Sequence, residues 1–258
     1  MPRLKMFFLL VTNLFVCIIL AGCEGKAETL RELSYDVSKK TDNEICIKEN
    51  GFFTPYLVLT EDYEGCVLLL RKYLLDDTRP FKKNDSHSWS YHDFGAYYEE
   101  SSIDSFLNKE FIGAIDSKVK ESIVLSHVVI SSKSNFGTPK RDTHTIPRKI
   151  FLLSLTELTG KARGTSAPEG SYLRYFKDDY RRRFASFSNG EACPYWTRQP
   201  EFFVSYSVFT MGTRGYSSGG ADIGSGVRPA FCLPPSVPVV LSDEAVEGKS
   251  VYIMKEEE

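Results

Sequence analysis

The chain is poor in the residues from which most enzyme sites are built. Four histidines and six cysteines occur in 258 residues, and no two cysteines have the Cys-x-x-Cys spacing of a redox or structural zinc site, which argues against thioredoxin-like and zinc-ribbon roles. His-Glu-x-x-His is missing, no Gly-x-Ser-x-Gly elbow stands at a strand-to-helix turn, and no glycine-rich loop ends in Gly-Lys-Ser/Thr. Zinc-protease, serine-hydrolase and phosphate-cradle chemistry are therefore unsupported. An excess of one charge is lacking as well, since 32 basic and 34 acidic residues leave a net −2. That balance carries no electrostatic footprint for a nucleic acid partner. The apolar run from Met6 to Leu20 is shorter than the roughly 20 residues of a membrane-spanning helix.

What is present starts with that run. Arg3 and Lys5 precede it, and it leads into Leu20-Ala21-Gly22-Cys23, the order of a positive region, an apolar region and a small-residue lipobox that marks a bacterial lipoprotein signal. The expectation is that residues 1–22 form a signal peptide, that Cys23 takes the lipid, and that the rest is anchored on the extracytoplasmic face of the cell membrane. With 42% hydrophobic residues, 18 Phe and 14 Tyr, the remainder has the composition of a chain with a core, not of a disordered one. Its length suits one domain. The expected layout is a polar tether over 23–44, a single α+β domain over 45–242, and a C-terminal segment with an acidic tail over 243–258.

Cys46, Cys66, Cys193 and Cys232 allow three disulfide connectivities outside the cell, 46–66 with 193–232 being the most local. Buried free cysteine acting as a small hydrophobe is the alternative. Along the domain, Ile45-Cys46-Ile47, Tyr56-Leu57-Val58-Leu59 and Cys66-Val67-Leu68-Leu69-Leu70 are parted by turn signals at Asn50-Gly51 and Glu64-Gly65, the pattern of a strand meander. Residues 76–98 have no period and read as a long surface loop. His87 and His92, with Asp85 and Asp93 beside them, match no named metal spacing, and no metal is expected.

Ile103, Phe106, Leu107 and Phe111 recur at helical spacing behind a serine cap, and Asp116 caps a second short helix. Val128-Val129-Ile130 returns to strand, 131–147 reads as a loop, and Lys149 to Ser154 reads as a strand followed by a helical turn through Glu157. Tyr172, Phe176, Tyr180 and Phe184 recur every fourth residue beside Arg181-Arg182-Arg183; this reads as a core face with a solvated flank. Further strands are expected at Tyr195 to Arg198, Phe202 to Met211 and Val227 to Leu233, with a glycine-rich loop from Gly212 to Gly226.

The order of these pieces resembles a family of bacterial surface proteins that carry a domain of unknown function (DUF6273-like). The residues that carry the likeness are Tyr56-Leu57-Val58-Leu59, Glu100-Ser101-Ser102-Ile103 with Phe106-Leu107-Asn108, Lys149 to Ser154, Tyr195-Trp196-Thr197-Arg198-Gln199-Pro200 and, most specifically, Gly226-Val227-Arg228-Pro229-Ala230-Phe231. The family's fourth block usually reads aromatic-Trp-Leu-Arg-Ser-Pro and its helix Ser-x-Ile-Arg-x-Trp-Leu-Asn. Thr197, Gln199, Asp104 and Phe106 depart from that pattern.

The ending is also similar to the formylglycine-generating-enzyme-like branch of the C-type lectin fold. That resemblance implies an α+β, C-type-lectin-like mixed fold, with helices packed on twisted antiparallel strands and long irregular loops. It does not carry over an activity. Cys193 and Cys232 stand in no paired-cysteine oxidase motif, and Gln199-Pro200-Glu201 matches only half of a calcium-dependent sugar set.

No catalytic residue and no cofactor are therefore expected. Trp196, Arg198, Arg214, Tyr216, Ser217 and Ser218 are the candidate ligand contacts, because Tyr, Ser and Gly make adaptable binding loops. Arg228 is assigned a structural role, satisfying buried acceptors. The function expected is that of a lipid-anchored, non-catalytic surface module for an extracellular protein or glycan. An envelope enzyme acting on glycans or peptides and a structural surface spacer are the alternatives.

Overall fold

Tight turns build one side of the large sheet. Asn50 and Gly51 have φ of 49° and 85°, the left-handed pair that a two-residue hairpin needs, and they join β1 (Glu44–Glu49) to β2 (Phe52–Tyr63) with Glu49 opposite Phe52. Glu64 and Gly65 repeat the device into β3 (Cys66–Arg71). The chain continues through β4 (Arg79–Pro80), β5 (Ser126–Ser131), β6 (Thr143–Arg148), β7 (Ile150–Phe151) and β8 (Tyr195–Pro200). It ends through β9 (Ser207–Gly212), β10 (Gly215–Gly220), β11 (Gly224–Ser225), β12 (Ala230–Leu233), β13 (Val239–Val246) and β14 (Lys249–Met254). This computed structural model describes residues 26–38, 43–83, 95–162, 167–201 and 205–255. The lipobox with Cys23, the group Asp85, His87, Trp89, His92 and Asp93, and Phe202 lie outside the described residues.

Seven strands form the main sheet in the order β13-β14-β1-β2-β3-β12-β7. Only β1 and β14 run parallel; the other pairs are antiparallel. A second sheet has the order β10-β9-β8, while β5 pairs with β6 and β4 with β11. Val67 to Leu70 of β3 and all of β12 are buried, so these strands read as continuous apolar runs because both faces of the sheet centre are covered.

Short helices supply part of the cover. In α1 (Ser102–Phe106) the cap is Ser101, whose Oγ accepts from the Asp104 amide at 3.1 Å, and the helix passes through a π-helical stretch, Leu107–Phe111, into α2 (Ile112–Ala114). Asp116 caps α3 (Ser117–Ser122), and α4 (Leu155–Thr159) starts with a full capping box between Ser154 and Glu157. The last is α5 (Arg174–Asp178). Strand-rich sheets with a few short helices agree with an α+β class.

Several expectations change. Residues 23–44 are not polar tether throughout: Leu30 and Leu33 are buried in a 3₁₀ turn, and the Leu30 amide donates to Val237 O. Two leucines one turn apart gain more by entering the core than by staying in water. Residues 243–254 are likewise part of the domain, since β13 and β14 extend the main sheet. Within 131–147, Thr143 onward pairs with β5 as β6. The described flanks of 76–98 are not surface loop, because Phe81, Ala96, Tyr97 and Tyr98 are buried. In the aromatic stripe Phe176 is buried but Tyr180 is exposed, because α5 stops at Asp178 and a 3₁₀ turn breaks the four-residue register.

Arg228, assigned a structural role from sequence, has its contacts inside the fold. Its guanidinium is buried, donates from Nε to Arg71 O at 3.0 Å and from Nη2 to Lys72 O at 3.2 Å, and lies over the Tyr195 ring. It ties the loop before β12 to the end of β3. Arg228→Ala removes the donor to both carbonyls and is expected to cost about 1–3 kcal/mol, read as a lower midpoint in thermal unfolding; an unchanged midpoint rejects the role.

Candidate functional site

Burial separates the residues singled out from sequence into two groups. Trp196 and Arg198 are buried in β8 and touch no ligand-accessible surface, so their assignment as ligand contacts is corrected. Arg198 donates from Nη1 and Nη2 to Glu157 at 2.7 and 2.9 Å, from Nε to Val129 O at 3.0 Å and from Nη1 to Leu152 O at 2.8 Å. A desolvated cation needs this many acceptors. Glu157 also accepts from the Tyr63 hydroxyl at 2.7 Å. Gly170, at φ 85°, lies so close that a Cβ there would sit 2.6 Å from Glu157 Oε1.

A second carboxylate lies beside this pair. Glu169 Oε1 accepts from the Ser131 amide and hydroxyl, while Oε2 stands 3.6 Å from Arg198 Nε and has no hydrogen-bond partner among the described residues. Burial pushes its pKa up from 4.5 to about 7, against the pull of Arg198 and of the Ser131 bonds.

The glycine-rich stretch is not a loop. Gly215 to Gly220 form β10, paired residue by residue with β9, because small residues permit close strand pairing even without β-branched side chains. Arg214 lies exposed at the hairpin turn, Ser217 and Ser218 are exposed on β10, and Tyr216 packs edge-on against Phe209. Ser217 Oγ bonds Thr210 Oγ1 at 2.9 Å.

Cys46, Cys66, Cys193 and Cys232 are free thiols, the alternative named beside a disulfide pairing. Cys46 and Cys66 sit on β1 and β3 with β2 between them. Burial raises the Cys46 thiol to about 11 and the Cys232 thiol to about 12, so neither supplies a reactive thiolate near neutrality. Among the described residues no cluster of His, Cys, Asp and Glu is placed to hold a metal.

What the fold does assemble is a groove around Arg79. The Trp196 indole donates to Arg79 O at 2.8 Å and its ring packs against Phe81, so the buried tryptophan holds β4 from beneath. Arg79 is also held by pairing of β4 with β11. Its guanidinium stacks 3.7 Å above the Phe106 ring. Nε is buried without an acceptor, and the guanidinium makes no ion pair among the described residues.

Arg79, Phe106 and Glu110 line cavities on both sides of this stack. One, of 380 Å³, is bordered by Lys83, Ser102 and Ser105; the other, of 460 Å³, by Asn50, Asp76 and Asp77. Both cavities are open and lined mostly by polar and charged side chains around one aromatic-backed cation, a surface suited to a small polar ligand. Sequence reasoning missed it because Arg79 lies in an aperiodic segment and Phe106 reads as an ordinary helix-face residue. Asp104, which departs from the family pattern, is occupied by Arg148, whose Nε lies 2.9 and 2.8 Å from its carboxylate oxygens.

A family model described as Domain of unknown function (DUF6273) matches residues 64–235. The chain belongs to that family. The DUF6273 segment runs from the turn before β3 to just beyond β12, so it holds Arg79, Phe106, Arg198 and Arg228, while β1, β2, β13 and β14 lie outside it. No curated protein and no solved structure matches the chain.

Arg198→Met leaves Glu157 and Glu169 buried without their cation and is expected to cost about 3–5 kcal/mol, read by chemical denaturation. Glu169 sets a pH dependence. Its folded-state pKa lies above the unfolded one, so its contribution to stability is complete below pH 4.5 and is lost as the pH rises through about 7, on the order of 3 kcal/mol at most. Glu169→Gln should flatten the fall of the unfolding free energy between pH 5 and 8, and a slope equal to wild type rejects this assignment.

Proposed function

We propose that the protein is a lipid-anchored, non-catalytic binding module on the extracytoplasmic face of a bacterial cell membrane, and that it takes its ligand in the groove around Arg79. The observation that supports binding is the Arg79–Phe106 stack, a cation held rigidly by β11, Trp196 and an aromatic ring yet left without an ion-pair partner among the described residues. Arg71 pairs with Glu49 and Arg148 with Asp104, whereas the Arg79 guanidinium faces the groove with no carboxylate in ion-pair range among the described residues. The lipobox Leu20 to Cys23 supports the anchor. No helix among the described residues is long and apolar enough to cross a membrane.

The fold is read as C-type-lectin-like. Support comes from the mixture of short helices, antiparallel sheets and long irregular connections, together with the glycine-rich approach to the Val227-Arg228 segment that leads into β12. The hairpin with Arg214, Ser217 and Ser218 is the other exposed polar surface, and Tyr216 steadies it from below through Phe209.

Labelling cells with a radioactive fatty acid tests the anchor: wild type should carry label and sediment with membranes, and Cys23→Ser should do neither. Label or membrane sedimentation that persists in that variant rejects lipidation at Cys23.

A further inference from the structure

We propose that the groove binds a short zwitterionic peptide, its carboxylate held by Arg79 and Lys83 on one side of the ridge and its ammonium group by Asp76 and Asp77 on the other. The assignment rests on the groove being the ligand site of a binding module and adds the chemistry of the ligand. It follows from which charges around the two cavities are already compensated.

In the cavity of 380 Å³, Glu100 is neutralised by Lys133, whose Nζ donates to both of its oxygens at 2.8 and 2.9 Å. Arg79 and Lys83 then face Glu110 alone, with the hydroxyls of Ser102 and Ser105 as further donors. In the cavity of 460 Å³, Glu49 is neutralised by Arg71 at 3.0 Å. Asp76, Asp77 and Glu110 are exposed there and have only Arg79 opposite them. None of Lys83, Asp76, Asp77 and Glu110 makes an ion pair among the described residues. The sign of the uncompensated charge therefore reverses across the Arg79–Phe106 ridge.

That reversal selects among ligands. A polyanion gains at Arg79 and Lys83 but is repelled by Asp76, Asp77 and Glu110, and a polycation meets the converse. A neutral saccharide makes hydrogen bonds on both sides but uses neither charge. A peptide with a free carboxylate and a free amine complements both sides at once, and the planar guanidinium fork matches a carboxylate with two parallel bonds. The stack on Phe106 keeps that fork in place, so little side-chain freedom is lost on binding.

Isothermal titration calorimetry on the purified full chain in detergent tests this with the tripeptide Ala-Gly-Ala, its carboxylate-amidated form, its amine-acetylated form and a neutral N-acetylglucosamine tetramer. The free tripeptide should bind, each blocked form should bind roughly tenfold more weakly, and added salt should weaken the free form most. Arg79→Met should abolish the preference for free over amidated carboxylate. The double variant Asp76→Asn, Asp77→Asn should abolish the preference for free over acetylated amine. Thermal unfolding controls for folding; if Arg79→Met melts early, Lys83→Met and the aspartate double variant, all at exposed positions, decide the matter.

Absence of tripeptide binding, or equal binding of free and blocked forms, overturns the assignment. Tetramer binding that Arg79→Met removes, without peptide binding, overturns the peptide class while leaving the groove as the site of a binding module. Peptide binding that survives every variant overturns the groove itself.

Discussion

Arg198, donating to both oxygens of Glu157 and to the carbonyls of Val129 and Leu152, joins β8 to β5, to the end of β7 and to α4 where no solvent reaches. Each of these segments leaves polar groups inside the protein that its own strand or helix cannot satisfy, and one planar five-donor side chain serves several of them. The irregular route of the chain between β7 and β8 depends on this. Ser154 Oγ is drawn to Glu169 O, Gln199 reaches Thr156 and Ala167 O, and Gly170 lets the backbone pass against Glu157. The excess carboxylate of Glu169 makes the arrangement pH-sensitive: a buried pair is neutral, but a buried triad with two acids and one base is not.

The same strand positions the groove. Two residues before Arg198, Trp196 hydrogen-bonds the backbone of Arg79 and packs on Phe81, which itself meets Tyr98. The Tyr98 hydroxyl in turn accepts from the Leu152 amide. Aromatic packing and single hydrogen bonds thus link the buried ion-pair region to the surface cation without any residue having to serve both. Trp196 acts on the groove by holding β4 in place.

Local signals were legible where local chemistry decides the outcome. The hairpin turns at Asn50-Gly51 and Glu64-Gly65, the serine cap of α1, the cap at Asp116 and the meander strands follow from turn residues, capping spacing and apolar runs. What misled were segments whose local pattern is weak. Gly215 to Gly220 has neither β-branched residues nor alternation, yet it is a strand because β9 offers it a ladder of partners. The 3₁₀ turn at Leu30 and the strands β13 and β14 lie in polar surroundings that suggest tether and tail, and the uncovered flank of the main sheet recruits them. These outer strands also lie beyond the family match, so this chain's sheet is wider than the segment shared with the family.

The sequence by itself carried the α+β class and the family blocks that fall within residues 64–235, because each is written in contiguous residues whose spacing has one physical reading. Only the tertiary structure decided which charges are compensated. Arg79, Arg148 and Arg198 are indistinguishable as letters, and they become a groove-facing cation, a helix tie and a core ion pair through partners tens of residues away. Burial does the sorting. A charge inside the fold must be paired to be tolerated, and one at a groove held in place but left unpaired keeps its interaction energy for a ligand.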